Sequence, residues 1–427
     1  MANRNGSTKT ETLIVSLDQI TQAQHQLKNI VKETPLSYNH NLSSLYNANI
    51  HLKREDLQVV RSYKLRGAYN KIVQLSENKK QQGIICASAG NHAQGVAFAC
   101  NKLGINGKIV MPTTTPKQKI KQVKWFGKDQ IEIVLYGDTF DDASAKAFEI
   151  AATENRNFIH PFDDEKVIAG QATVGLEILH QIDQSLDYIF VPIGGGGLAS
   201  GIISVFKALS PNTKIIGVEP LGAASMEQAI KKGEVITLNE IDPFIDGAAV
   251  KRVGDLTYKI CTEYLDDICL VPEGKVCSTI LKLYNEEAIV VEPAGALSIA
   301  ALDYYKNDIK GKNVACIISG SNNDITRLEE IKEKSLQFEG LKHYFIINFP
   351  QRAGALKELV NEVLGEDDDI SYFQYIKKHN KDTGPAVVGI ELKEKEDFDG
   401  LIKRLDQFNF NYQYLNTDDT LFNLIIG

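Results

Sequence analysis

Short apolar runs recur along the first three quarters of the chain, at residues 84–87, 108–111, 131–135, 188–193, 214–219, 268–271 and 313–319. Most are rich in Ile and Val and are bounded by Gly, Pro or Asp. Amphipathic stretches such as 141–153 and 272–287 separate them. An apolar run without polar alternation is buried on both faces. Strands of that kind, each followed by a helix, predict parallel sheets covered on both sides. The class is α/β.

After about residue 325 the pattern changes. A charge-rich segment at 327–334 precedes an alternating strand (341–348), a helix (353–364), two strands (369–377 and 386–392), a helix (397–407) and a last strand (411–415). That order, βαββαβ, predicts a ferredoxin-like α+β module. At the other end, residues 1–12 read as a loose polar tail. Ser16-Leu17-Asp18-Gln19 is a capping box opening a first helix that stops before Pro35.

Charge excludes some partners. Lys plus Arg is 47 against 55 Asp plus Glu, a net charge of −8, which disfavours nucleic acid. The uncharged stretch 188–206 contains Pro192 and a glycine run, so it predicts a strand, a turn and a helix start, not a membrane span. The N-terminal dozen residues hold no apolar signal stretch. Six cysteines, at 86, 100, 261, 269, 277 and 316, form no CxxC pair. They read as reduced core residues of a cytoplasmic protein. The histidines show no HExxH or Cys/His cluster, so no metal site is expected.

Four segments could carry chemistry. Gly194-Gly195-Gly196-Gly197 follows an apolar strand and opens a helix at Leu198. Its bare backbone can turn several N–H groups toward one anion, and the helix start favours negative charge. No Gly-Lys pair is followed by Ser or Thr, so this is not a nucleotide P-loop. Gly194, Gly196 and Ala199 also satisfy GxGxxA, with Glu219 where a ribose-binding acid would sit, which keeps an NAD-binding oxidoreductase open. Arg61-Ser62-Tyr63-Lys64-Leu65-Arg66-Gly67-Ala68-Tyr69 sets one lysine where irregular chain turns into helix. Ser88-Ala89-Gly90-Asn91-His92-Ala93-Gln94-Gly95 is another strand end and helix start, read either as a carboxylate site or as an Asn cap. Ser319-Gly320-Ser321-Asn322 ends a strand. Ligands of open α/β sheets gather beyond strand C-termini. A lysine, a phosphate cradle, a second anion site and a serine together suggest pyridoxal phosphate.

These motifs, with His160-Pro161-Phe162-Asp163-Asp164, resemble the threonine/serine dehydratases over roughly residues 15 to 325. The resemblance implies the tryptophan-synthase-β-like pyridoxal phosphate fold, with two α/β subdomains and the cofactor between them. The expected catalytic part is 1–330, with a small subdomain inserted at about 66–165. By the same resemblance Lys64 is the Schiff-base lysine and the base that takes the Cα proton. Asn91 contacts the ring's 3-oxygen, Gly194, Gly195, Gly196, Gly197 and Leu198 bind the phosphate, and Ser319 faces the pyridine nitrogen. Ser88, Ala89, Gly90, Asn91 and His92 receive the substrate carboxylate. The implied reaction is conversion of L-threonine to 2-oxobutanoate and ammonia.

The segment from Phe349-Pro350-Gln351-Arg352-Ala353-Gly354-Ala355-Leu356 onward resembles the ACT-like regulatory domain of biosynthetic threonine deaminases, present once, at 340–427. It implies isoleucine, or valine, as an effector near Arg352, Gly354 and Leu356, and a homo-oligomer. Two positions depart from the family pattern. A cation carried by some relatives would fall on Glu219, Ala223 and Ser225, and Ser is a poor ligand for a hard cation. Arg352-Ala353-Gly354 stands where Arg-Pro-Gly is common. Serine dehydration or racemisation on the same scaffold is the sibling alternative.

Overall fold

In the computed structural model, residues 15–375 and 382–426 are described. The tail reading of 1–12, and Ile376 and Lys377 of the strand expected at 369–377, lie outside them. The chain divides into two compact units, Met1–Ile325 and Thr326–Gly427.

The first unit holds two sheets. All seven apolar runs are strands within a residue of the expected bounds. The larger sheet has the spatial order Leu36–Tyr38, Asn49–Arg54, Asn313–Ile318, Tyr188–Pro192, Lys214–Pro220, Asp267–Val271, parallel except for the first edge pair. The smaller sheet runs Ile131–Leu135, Gly107–Met111, Ile84–Ala87, Asn157–Phe158, all parallel. Its strands fall between Asn49–Arg54 and Tyr188–Pro192 in the chain. Separate apolar clusters pack the two sheets. Ile189, Val191, Phe206 and Ile317 are fully buried in one, and Ile72, Ile84, Val96 and Ile109 in the other.

Glycines let the helices cross closely. A Cβ on Gly67 would stand 2.4 Å from Gln171 Nε2, and one on Gly170 would stand 2.5 Å from the Arg66 carbonyl. The helices Lys64–Val73 and Glu165–Gln181 therefore touch backbone to backbone. Gly95 does the same for the Asn91–Leu103 helix, where a Cβ would lie 3.1 Å from Leu65 Cα.

Three strands went unpredicted. Leu36–Tyr38 and Asn157–Phe158 are too short to show a period. Asn49–Arg54 reads Asn-Ile-His-Leu-Lys-Arg, too polar for a buried strand, yet Lys53 is fully buried. Its ammonium reaches Glu177 at 2.6 Å. Arg66 also meets Glu177, at 2.5 Å, and Glu55, at 2.8 Å. Two cations and two carboxylates thus close a buried neutral cluster that ties the Lys64–Val73 helix to the large sheet.

In the second unit Asp369–Tyr375, Thr383–Glu391, Lys342–Pro350 and Asn411–Tyr414 form one antiparallel sheet in that order. This is the ferredoxin-like arrangement of the expected βαββαβ order. The expected helix 353–364 begins later, as one α-turn at Ala355–Glu358, and continues as a π-helix over Leu359–Val363. A closing helix, Asp419–Ile425, was not anticipated.

Candidate active site

Lys64 is the first residue of its helix, and its preceding residue, Tyr63, donates its amide to the Ser319 carbonyl at 3.2 Å. That bond sets the lysine beside the end of the Asn313–Ile318 strand. The Lys64 Nζ donates to the Pro161 carbonyl at 3.0 Å and stands 6.0 Å from the centre of the Phe162 ring. Burial lowers its pKa to about 8, against the field of Glu292, which favours the charged form.

The loop His160–Asp164 joins lysine and glycines. Its turn is held by the His160 ring nitrogen, which accepts the Asp163 amide at 2.8 Å. Asp163 in turn accepts the amides of Asp255, Leu256 and Thr257 and so caps the Asp255–Tyr264 helix from a distant part of the chain. Phe162 lies on the glycine run. A Cβ on Gly195 would be 2.3 Å from its ring, one on Gly197 2.8 Å from its Cβ, and one on Gly194 3.0 Å from the Ala248 backbone. Gly196 has φ +89°, which disfavours any side chain. The Gly197–Leu209 helix starts here with no side-chain cap. An uncapped helix start leaves its first amides without side-chain partners, which suits an anion.

Asn91 is not the cap of its helix; Gly90 takes that position. Its Nδ2 donates to Glu292 at 2.6 Å, and its Oδ1 accepts from Asn322. Ser88 Oγ accepts the Gly90 amide at 3.2 Å and bends the loop between them. His92 is buried, with Nε2 on the Ile159 carbonyl at 3.0 Å and Nδ1 without a protein partner. Burial, with the charge of Lys64, lowers its pKa to about 3, so the ring is neutral. Ser319 is buried at the strand end. The structure therefore brings Lys64, the glycine run, Asn91 and Ser319 around one place beyond the strand ends. Arg352, Gly354 and Leu356 belong to the second unit. Arg352 and Gly354 line an open surface depression with Lys357 and Glu358, and Leu356 does not.

A glycine backbone, an uncapped helix start, a half-buried amine of lowered pKa and a serine hydroxyl fit pyridoxal phosphate. Glu219 instead accepts the amides of Met226 and Glu227 at 2.8 and 2.9 Å, capping the Ser225–Lys232 helix. Ser225 donates its hydroxyl to the Val250 carbonyl. Both groups offered for a cation or a ribose are thereby engaged within the protein.

Comparison with known proteins decides between the alternatives. Residues 27–320 match the family described as pyridoxal-phosphate dependent enzyme, and 333–425 the C-terminal regulatory domain of threonine dehydratase. The biosynthetic L-threonine dehydratase of Bacillus subtilis is 57% identical over 416 residues, covering 97% of this chain and 99% of that one. The chain belongs to the biosynthetic threonine dehydratases. The Halalkalibacterium halodurans member is 55% identical over 412 residues, 96% of this chain and 99% of that one. Among solved structures, the processed threonine deaminase isoform 2 of Solanum lycopersicum matches with TM-score 0.71 and 41% identity, over 75% of this chain and 95% of that one. A maize serine racemase matches with TM-score 0.70 and 30% identity, over 76% and 98%. This dehydratase is a pyridoxal phosphate enzyme of the tryptophan-synthase-β-like fold with a regulatory module. The dinucleotide reading of Gly194, Gly196, Ala199 and Glu219 is overturned, because the four-glycine run met that template by accident.

Two features of this dehydratase's site escaped sequence reasoning. Glu292, in Val-Val-Glu-Pro-Ala-Gly, matched no motif that sequence reasoning singled out. Asp163 lay inside a quoted motif, but its capping partners are about ninety residues away, and no local pattern carries such a pairing.

Proposed function

We propose that the chain converts L-threonine to 2-oxobutanoate and ammonia, as the first step of isoleucine biosynthesis, with pyridoxal 5'-phosphate attached through Lys64. The observation that carries this reading is the Lys64 amine, held by one backbone carbonyl at 3.0 Å with its pKa lowered to about 8. An amine of that basicity is part neutral near physiological pH. It can form the cofactor link and, once freed, take a proton as a base. Near full-length identity to biosynthetic threonine dehydratases supports threonine as the substrate.

When bound, pyridoxal phosphate supplies an electron sink for the Cα electrons of the amino acid. The rest falls to this chain. Gly194, Gly195, Gly196, Gly197 and Leu198 would hold the phosphate at the helix start, Asn91 would meet the 3-oxygen and Ser319 the pyridine nitrogen. Ser88, Ala89, Gly90, Asn91 and His92 receive the substrate carboxylate. A neutral His92 adds no charge there. Lys64 takes the Cα proton as the β-hydroxyl leaves. The nitrogen ends as ammonia, and the water lost in elimination is regained in hydrolysis. A hydroxyl at Ser319 would not hold the ring nitrogen charged as a carboxylate would. The weaker sink favours elimination over transamination.

The regulatory module supports isoleucine, with valine as a second candidate, bound near Arg352, Gly354 and Leu356. The protein works as a homo-oligomer, a dimer or tetramer. Among the described residues no helix is long and apolar enough to cross a membrane. All six cysteines are buried and outside any disulfide, which supports a reducing cytoplasm.

Borohydride tests the cofactor link. The purified protein is expected to be yellow, to bleach on reduction, and to yield a pyridoxyl group on the peptide containing Lys64. Label on another lysine, or a colourless protein that binds a nicotinamide cofactor, rejects the reading.

A further inference from the structure

Glu292 is a carboxyl only 4% exposed, at the start of the Pro293–Ala300 helix. Its Oε1 accepts from Asn91 Nδ2 at 2.6 Å, and the backbone amide of Asn322 also reaches the carboxyl. The Asn322 side chain donates to Asn91 Oδ1 and to the Val60 carbonyl. The surroundings are cut to fit. A Cβ on Gly320 would stand 2.3 Å from Glu292 Oε1, and the Glu292 amide donates to the Gly320 carbonyl at 3.2 Å.

Asn91 is thus held at both ends of its amide. Rotating it by half a turn would set donor against donor and acceptor against acceptor, which buried polar groups do not tolerate. One Nδ2 hydrogen is committed to Glu292 and the other remains for a ligand. The charged and titratable groups acting on Glu292 are Asp246, its ion-pair partner Lys119, Lys64 and Tyr63. Burial and Asp246 raise the Glu292 pKa to about 7, while Asn91, Lys119 and the Asn322 amide oppose the rise. Ionised, the carboxyl accepts strongly from the asparagine.

We propose that Glu292 is a positioning residue for the cofactor, orienting Asn91 so that its second Nδ2 hydrogen is offered to the cofactor's 3-oxygen. The proposal rests on the reading of Asn91 given above. It deepens that site, since Glu292 does not itself touch the reacting atoms.

The test is a double-mutant cycle on cofactor affinity, read by titrating the cofactor-free full chain with pyridoxal phosphate and following its visible absorption. N91A and E292A are each expected to weaken binding about tenfold. The N91A/E292A double variant should be no weaker than N91A alone, since both changes remove one unit. E292Q, whose amide oxygen still accepts from Asn91, should stay within about threefold of wild type. Should E292A not fold, E292D takes its place, withdrawing the carboxylate from Asn91 with the same expected loss. Losses that multiply in the double variant, or E292A binding as wild type does, overturn the proposal. N91A binding as wild type does overturns the Asn91 reading and the proposal with it. A weakened N91A beside an unaffected E292A overturns the proposal alone.

Discussion

The Nζ of Lys64 donates to the carbonyl oxygen of Pro161 at 3.0 Å, so the amine is met by a backbone dipole. Burial then lowers its pKa to about 8, from about 10.4 in an unfolded chain. Between those values the unfolded chain binds more protons, so stability rises with pH. Below the folded pKa the cofactor-free protein bears the whole cost of a buried ammonium. K64M, without its cofactor, is expected to gain stability over wild type at pH 7 and to lose that advantage by pH 10. Urea denaturation at the two pH values measures it. A difference that does not change with pH would mean the amine is fully solvated.

Arg66, two residues on, belongs to the buried cluster with Lys53, Glu55 and Glu177. E177A would leave two buried cations facing one carboxylate. It is expected to cost about 3–5 kcal/mol in chemical denaturation. Removing the exposed Lys80–Glu77 pair should cost less than about 1 kcal/mol. Equal losses from the two would show that the cluster does not behave as a buried one.

Phe162 covers the glycine run, and a Cβ on Gly195 would reach 2.3 Å from its ring. G195A must displace Phe162, and with it the Pro161 carbonyl that holds Lys64. Cofactor affinity is expected to fall at least tenfold, by roughly 1.4 kcal/mol or more. F162A should restore part of it in the double variant. If F162A makes G195A worse, the glycine is needed for its backbone conformation and not for room.

How much of this was visible in advance depends on where each interaction closes. Five of the seven apolar runs bury on both faces, as Ile and Val without alternation predict, while Ile131–Leu135 and Asp267–Val271 are sheet edges and only partly covered. The strand, turn and helix start around the glycine run were legible because their requirement is local. Asn49–Arg54 was not, because Lys53 is polar in sequence and becomes buried only against Glu177, far along the chain. Glu292 was hidden for the same reason, since its partner Asn91 is two hundred and one residues away. Arg66 stood inside a quoted motif, but its role depends on carboxylates from two other elements.

Arg352 pairs with Glu358 at the open depression on the second unit. Isoleucine is expected to raise the threonine concentration needed for half-maximal rate. R352A in the full chain is expected to blunt that effect severalfold while leaving the uninhibited rate near wild type. Binding of the effector must differ between two states for this to occur. Undiminished inhibition of R352A would place the effector elsewhere.

The most direct measurement is product formation from L-threonine by wild type and K64A side by side, with L-serine as the comparison substrate. The wild type is predicted to release 2-oxobutanoate and ammonia in equal amounts, faster from threonine than serine yields its products, and K64A is predicted to lose nearly all of this while remaining folded. A K64A protein that turns over threonine at the wild-type rate, or a wild type that releases no 2-oxobutanoate, would contradict the account.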